Sequence, residues 1–424
     1  MSERLRVHGG TALRGEVTIS GGKNAALAII PAVLLADSPS TVENIPDIND
    51  VHVILEMLRW LGAEVEFSNN TLQVDPRGAD KCNPPYELAA RMRASYYLIP
   101  VLLGRFHEAH VPLPGGCDIG NRPIDYTEKG LRALGAEVVT TETMVNARCD
   151  ALHGSDIYLA MPSVGATVNC MLAAVSADGV TTIRNAAKEP HIVDLANFLS
   201  SMGANVKGAG TDVIRIRGGR PLHGTNYTII PDQIETGTMM IAAAATGGDV
   251  VVRGVIPVHM EALFAKLLEM GVSVNYEDDW IHVRSERRFR PINVKTLGYP
   301  GFPTDLQQPI SALLTVANGT SIVQETIFES RFRFLEELRK MGADVHVLDG
   351  TSAVITGVEK LTGARVKATD LRAGAAMVIA ALMAEGVTEI SGVEYILRGY
   401  ERFDEKLRSL GARVERISLS DLVY

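Results

Sequence analysis

A five-residue phrase recurs six times along the 424 residues: Leu or Met, Gly, Ala or Val, any residue, Val. Its copies are Leu61–Val65, Leu134–Val138, Met202–Val206, Met270–Val274, Met341–Val345 and Leu410–Val414, and successive glycines lie 73, 68, 68, 71 and 69 residues apart. A period this regular constrains the fold more than any single motif, because each copy must be a supersecondary unit that buries its apolar face against its neighbours. The chain is too long for one ordinary core and suggests about two to three domains. Six units then divide as three plus three. What all six share is scaffold, and what one alone carries is the place to seek chemistry.

Each phrase follows a helical pattern, such as Val51–Trp60 or Phe332–Lys340, and its Gly stands where a helix ends in a left-handed turn before a strand. Upstream lie β-rich runs such as Thr41–Asn44, Thr182–Asn185, Val251–Gly254 and Glu389–Gly392. Before these come six helices apolar nearly all round, about Ala25–Ala36, Ser95–Gly104, Thr167–Ala177, Thr238–Ala245, Gln308–Ala317 and Ala373–Ala384. Such helices must be enclosed by sheet or by other helices. Each unit therefore reads as strand, buried helix, strand, surface helix, strand, an α/β layer arrangement. A second phrase, Leu13-Arg14-Gly15, Leu222-His223-Gly224 and Leu361-Thr362-Gly363, follows a short β run each time. The first copy has no unit before it and the last unit has no copy after it, so the N-terminal strands are expected to complete the C-terminal domain. The predicted domains are 21–229 and 1–20 plus 230–424, joined by two strands at a hinge.

With 46% hydrophobic but 5% aromatic residues, the core must be built of Ala, Val, Leu, Ile and Met. Forty-one basic against 50 acidic residues give a net charge of -9, so no global basic field attracts nucleic acid or an anionic membrane. Anionic ligands must be held by local clusters. Met1–Arg6 lacks the apolar stretch of a signal peptide, and runs such as Ala25–Ala36 fall short of the roughly 20 residues that span a bilayer. A cytoplasmic, monomeric protein is expected. Cys82, Cys117, Cys149 and Cys170 show neither C-x-x-C spacing nor a nearby His pair, so neither zinc nor a disulfide framework is expected. Cys82, Cys149 and Cys170 read as structural or incidental.

The segments leading into the six apolar helices are polar, and no two agree: Gly21–Asn24, Arg91–Arg93, Ser163–Gly165, Asp232–Glu235, Pro303–Asp305 and Thr369–Arg372. Helix N-termini near a common cleft would suit phosphates and carboxylates, and ordinary capping by Ser, Thr, Asp or Asn competes with that reading at each one. Lys23 and Arg93 cap nothing and need another explanation. Pro114–Pro123 places glycines on both sides of Cys117 between prolines, as a mobile lid would, and Arg122 would favour the thiolate. Two further loops, Glu325–Phe332 and Ile396–Arg402, carry arginines suited to bidentate pairing with carboxylate or phosphate, although Arg333 and Arg402 read as solvated helix starts.

Gly21-Gly22-Lys23-Asn24-Ala25, Met92–Ser95, Pro114–Cys117 with Arg122-Pro123, Pro303–Asp305, Glu329–Phe332, Asp370–Arg372 and Arg398–Glu401 together resemble the enolpyruvyl transferase family, in its nucleotide-sugar branch, over essentially the whole chain. The resemblance implies a two-domain inverted α/β barrel of six repeats of about 70 residues, three per domain, with the active site in the cleft between them. It implies transfer of the enolpyruvyl group of phosphoenolpyruvate to the 3-hydroxyl of UDP-N-acetylglucosamine, with release of phosphate, at the start of bacterial peptidoglycan precursor synthesis. No cofactor and no metal is implied.

By resemblance, Lys23, Arg122 and Arg398 hold the phosphoenolpyruvate phosphate and carboxylate, and Arg93, Arg331 and Arg372 complete the positive pocket. Cys117 acts as the acid near C3 and corresponds to the thiol that fosfomycin alkylates in sensitive family members. Asp305 accepts or orients the sugar hydroxyl, and Asn24 positions the sugar. The nucleotide sugar also meets Arg93, Arg122, Pro123, Ile124, Asp125, Tyr126, Ser163, Val164, Gly165 and Ile327, while Asp370 and Leu371 serve closure and product release. Two positions depart from the family pattern: Met161-Pro162 stands where some members place a Lys before Ser-Val-Gly, and Thr127 where many have a His. The rival implications are an enolpyruvyl-shikimate-phosphate synthase and a non-catalytic regulatory paralogue that binds the nucleotide sugar.

Overall fold

The computed structural model describes residues 3–115 and 123–418. The six apolar runs are helices, Lys23–Ala32, Leu98–Phe106, Val164–Ala174, Gln233–Ala245, Gln307–Leu314 and Leu371–Met383. Burial explains their composition: all 13 residues of Leu371–Met383 and all 8 of Gln307–Leu314 are buried. The phrase glycines each end a surface helix with positive φ: Gly62 at 102°, Gly135 at 97°, Gly203 at 102°, Gly271 at 91°, Gly342 at 90° and Gly411 at 92°. Here a Cβ would be strained, which is why the phrase keeps Gly. One surface helix is shorter than its pattern. It covers Leu335–Lys340, and Phe332 and Phe334, both buried, lie in the turn ahead of it.

The strand expected after each Gly is, in five units, the first arm of a hairpin. In Glu64–Ser68 and Thr71–Asp75 the turn is Asn69-Asn70, both with positive φ, as a two-residue type I′ turn requires. Among the described residues this gives five four-stranded sheets and one of three strands. The four-stranded sheets share one plan: a lead strand runs parallel to the next, which pairs antiparallel with the far arm of the hairpin. In one of them the far arm comes from the chain's start, where Glu3–His8 lies between Val387–Ser391 and Arg413–Ser418. The three-stranded sheet, Glu108–Pro112, Met144–Arg148 and Glu137–Thr140, has no lead strand.

The described residues form two compact units with separate cores, one of 3–20 and 231–418 and the other of 21–115 and 123–230. The chain passes between them after Ser20 and after Ile230, and a buried acid anchors each of these residues within its own unit. Glu235 accepts from the Ser20 N–H at 2.9 Å and pairs with Lys406, which also donates to Ser20 Oγ at 2.7 Å. Asp194 accepts from the Ile230 N–H at 3.2 Å and from the Tyr227 hydroxyl at 2.6 Å.

Candidate active site

Of the polar segments leading into the apolar helices, three are caps. Ser163 accepts from the Ala166 N–H, Asp232 from those of Ile234 and Glu235, and Asp370 from those of Arg372 and Ala373. The other three, at Gly22-Lys23, Met92-Arg93 and Pro303–Asp305, have no side-chain cap. Lys23 and Asp305 make longer-range contacts instead, and Arg93 meets the ring of Tyr96 three residues on.

In the unit that contains Asp305, that carboxylate lies against two guanidiniums. Arg331 Nη2 donates to Oδ1 at 2.7 Å, while Arg372 Nε and Nη2 donate to Oδ2 at 3.2 and 3.0 Å. The arginine side chains are 3% and 4% exposed and that of Asp305 is 25% exposed, so the cluster keeps one face open. Burial works to raise the Asp305 pKa, but Arg372 and then Arg331 outweigh it and hold the carboxyl ionised well below the usual range. Both guanidiniums also lie over rings, Arg331 at 5.1 Å from Phe328 and Arg372 at 5.3 Å from Tyr400. The Tyr400 hydroxyl is 2.9 Å from Thr238 Oγ1.

A buried carboxylate that the sequence did not single out organises the neighbouring loop. Glu325 Oε1 accepts from Thr296 Oγ1 and from the Ile327 and Phe328 N–H groups, at 2.9, 2.9 and 3.3 Å. Its Oε2 accepts from Thr304 Oγ1 at 2.9 Å, which leaves that oxygen to accept from Arg331 Nη1 at 2.5 Å. Asp370 Oδ2 accepts from the amide of the buried Gln308 at 3.0 Å. Thus Asp305, Arg331, Arg372 and Asp370 are brought together, with Leu371 buried in the same helix start. Ile327 is 44% exposed on the Glu325 loop, and Arg398 lies two residues before Tyr400.

In the other unit, Lys23 is buried and pairs with Asp50 at 2.9 Å, while Asn24 beside it is exposed. The signal for Asp50 was available, an acid in the first turn of helix Asn49–Trp60, but its partner lies in a different element. Arg93 stands 5.1 Å over the Tyr96 ring, and the Tyr96 hydroxyl presses on Gly165, where a Cβ would come within 1.5 Å. The Arg93–Tyr97 turn packs against both helix Lys23–Ala32 and helix Val164–Ala174. Lys23, Arg93 and Ser163-Val164-Gly165 are thereby gathered. Helix Asp125–Ala133, which follows Pro123 and Ile124 and starts with Asp125 and Tyr126, packs on Val164–Ala174. Thr127 is buried there and accepts from Asn169 Nδ2 at 3.4 Å, whereas Met161 is 62% exposed. Cys117 and Arg122 lie outside the described residues. The other three cysteines are free thiols, and burial pushes Cys170 up to about 12.

The sequence pattern of the family described as EPSP synthase (3-phosphoshikimate 1-carboxyvinyltransferase) matches residues 7–407. The chain is 57% identical over 415 residues, covering 98% of it and 99% of the relative, to UDP-N-acetylglucosamine 1-carboxyvinyltransferase 3 of Caldanaerobacter subterraneus. It is 52% identical over 420 residues, covering 99% and 98%, to UDP-N-acetylglucosamine 1-carboxyvinyltransferase 2 of Bacillus subtilis. Among solved structures, the enolpyruvyl transferase NikO from Streptomyces tendae superposes with a TM-score of 0.88 at 27% identity, covering 98% of this chain and 99% of that one. EPSP synthase from Acinetobacter baumannii, at TM-score 0.74 and 21% identity over 99% and 100%, shares the fold. The chain belongs to the EPSP synthase family of enolpyruvyl transferases. No helix among the described residues is long and apolar enough to cross a membrane.

Proposed function

We propose that this chain transfers the enolpyruvyl group of phosphoenolpyruvate to the 3-hydroxyl of UDP-N-acetylglucosamine, releasing phosphate in the synthesis of cell-wall precursors. The observation that carries this reading is the 57% identity, over nearly the full length of both chains, to an enzyme of that name. The fold is read as two inverted α/β domains of three repeats each, 21–229 and 1–20 plus 230–424. The working form is a cytoplasmic monomer, and its activity supports peptidoglycan synthesis, cell shape and division.

The chemistry assigns work to each cluster. Phosphoenolpyruvate brings a carboxylate and a phosphate, and addition at its C2 builds positive or tetrahedral character while C3 takes a proton. Cations, an acid and a hydroxyl-directing group are therefore required. Lys23, Arg93, Arg122, Arg331, Arg372 and Arg398 supply the cations, and Cys117 supplies the proton to C3. Asp305, held ionised by two guanidiniums, is a weak base. Its role in this reading is to orient the sugar hydroxyl by accepting its hydrogen bond. Asn24, Pro123–Tyr126, Ser163–Gly165 and Ile327 contact the nucleotide sugar, and Asp370 and Leu371 govern product release. The two units contribute different residues, so the reaction needs both.

The test measures phosphate release from phosphoenolpyruvate with and without UDP-N-acetylglucosamine, in wild type, in Cys117→Ala and after fosfomycin treatment. Release that requires the nucleotide sugar and is lost in both controls supports the reading. Saturable nucleotide binding without release would replace it with a non-catalytic binding protein, and release with shikimate 3-phosphate instead would replace it with a synthase of that acceptor.

A further inference from the structure

The three-stranded sheet is where the common plan is broken, and its open edge carries a cluster that the enolpyruvyl chemistry does not use. The segment 79–85 runs where the other sheets have a lead strand. Pro84 and Pro85 have no N–H to offer a ladder, and the segment is tied to the edge by the His110 N–H donating to the Cys82 carbonyl at 2.9 Å. Glu108 and His110 are two residues apart on strand Glu108–Pro112, so they share a face. The Cys82 thiol, a Glu108 carboxylate oxygen and a His110 ring nitrogen all lie within 4.8 Å of one another.

We propose that Cys82, Glu108 and His110 form a surface site for a thiophilic divalent cation, with Zn2+ as the ion their donors fit. A thiolate, an imidazole and one carboxylate are the ligand types zinc takes, and three protein ligands leave the fourth tetrahedral position to water. Metal bonds of about 2.0–2.3 Å set ligand separations near 3.3–3.8 Å, so these partly exposed side chains need only a small contraction. His110 is already oriented for the task. Its Nδ1 faces Asn146 Oδ1 at 2.7 Å, from the residue directly opposite in register, which directs Nε2 toward Glu108 Oε1 at 2.8 Å. A metal-ligating histidine is normally held in this way, through its second nitrogen, by an oxygen acceptor. The cation replaces the proton between His110 Nε2 and Glu108, and the Cys82 thiol releases its own proton on binding. Sequence spacing concealed the site because Cys82 and the strand are separated by the Tyr86–Ala89 and Leu98–Phe106 helices.

The experiment titrates the metal-free full-length protein with Co2+ alone and follows the thiolate-to-cobalt charge-transfer absorption, then displaces the ion with Zn2+. One equivalent should bind and produce the band. Cys82→Ser should abolish the band while leaving enolpyruvyl transfer unchanged, and Glu108→Gln and His110→Ala should each weaken Zn2+ binding by about 100-fold or more. Asn146→Ala should weaken it by about 10- to 100-fold, as loss of the hydrogen-bond acceptor that holds a metal-bound histidine does. Absence of the band in the wild type overturns the proposal. So does a band that survives Cys82→Ser, since another thiol would then be the ligand; if the serine variant folds poorly, a Zn2+ affinity unchanged in Glu108→Gln, at a more exposed position, overturns the proposal instead.

Discussion

Replacing Asp305 by Asn keeps the shape of the side chain and removes the only negative charge seen to contact both Arg331 and Arg372 among the described residues. Two guanidiniums with side chains 3% and 4% exposed would then face each other across a neutral amide. Removing one partner of a buried ion pair costs about 3–5 kcal/mol, and the 25% exposure of Asp305 places this case near the lower end, at about 3 kcal/mol. For a unit of about 200 residues, that lowers the melting temperature by roughly 6–12 °C. The pH dependence has a definite sign. The folded-state pKa is depressed, so the stabilisation is complete above the unfolded carboxylate value of about 3.9 and is lost only as the pH falls below it, toward the folded value. Calorimetry of wild type and Asp305→Asn should therefore give a constant gap from pH 8 to pH 5, narrowing only in stronger acid. A melting temperature within about 2 °C of wild type at pH 7, or a gap that shrinks between pH 8 and pH 6, would refute the charge-balance argument.

Three further outcomes are expected. Burial lifts Asp194 to about 6, against the hydrogen bonds from Tyr227 and Ile230, so the folded state binds the extra proton and this group makes stability fall as pH rises from about 4 to 6; urea midpoints of Asp194→Asn should show a flatter pH dependence over that window. Gly165→Ala puts a methyl group into the Tyr96 hydroxyl and shifts the ring beneath Arg93, with an overpacking cost of about 1–3 kcal/mol; the KM for UDP-N-acetylglucosamine should rise at least tenfold, and an unchanged KM would detach this contact from nucleotide-sugar binding. Gly342→Ala has open space around its Cβ and only a left-handed backbone to strain, about 1–2 kcal/mol, whereas Gly62→Ala also meets the Gly78 carbonyl at 2.5 Å. Thermal melts should therefore rank Gly62→Ala as the more damaging, and equal losses would refute the packing distinction.

The features legible in the sequence are those that depend on near neighbours. A helix enclosed on all sides must be apolar on all sides, so the six runs fix Lys23–Ala32, Leu371–Met383 and the four between them to within a few residues. A left-handed C-terminal turn selects glycine over every residue with a Cβ, so the six phrase glycines mark six helix ends. The hairpin arms Thr71–Asp75, Met144–Arg148 and Ser352–Thr356 were not legible, because a short strand depends on the partner beside it.

For the site, the sequence by itself determined the residue types and their places at the starts of the buried helices. It determined that Lys23 and Arg93 cap nothing. Only the tertiary structure decided that Lys23 meets Asp50 and that Asp305 meets two guanidiniums carried by residues 26 and 67 positions further along the chain. It also decided that Glu325, an acid on a loop, would hold four donors and aim Thr304 at Arg331. Charge pairing and hydrogen-bond direction act through space over a few ångströms, whereas periodicity acts along the chain. The chain order therefore specifies the scaffold, and the fold alone specifies which charges meet.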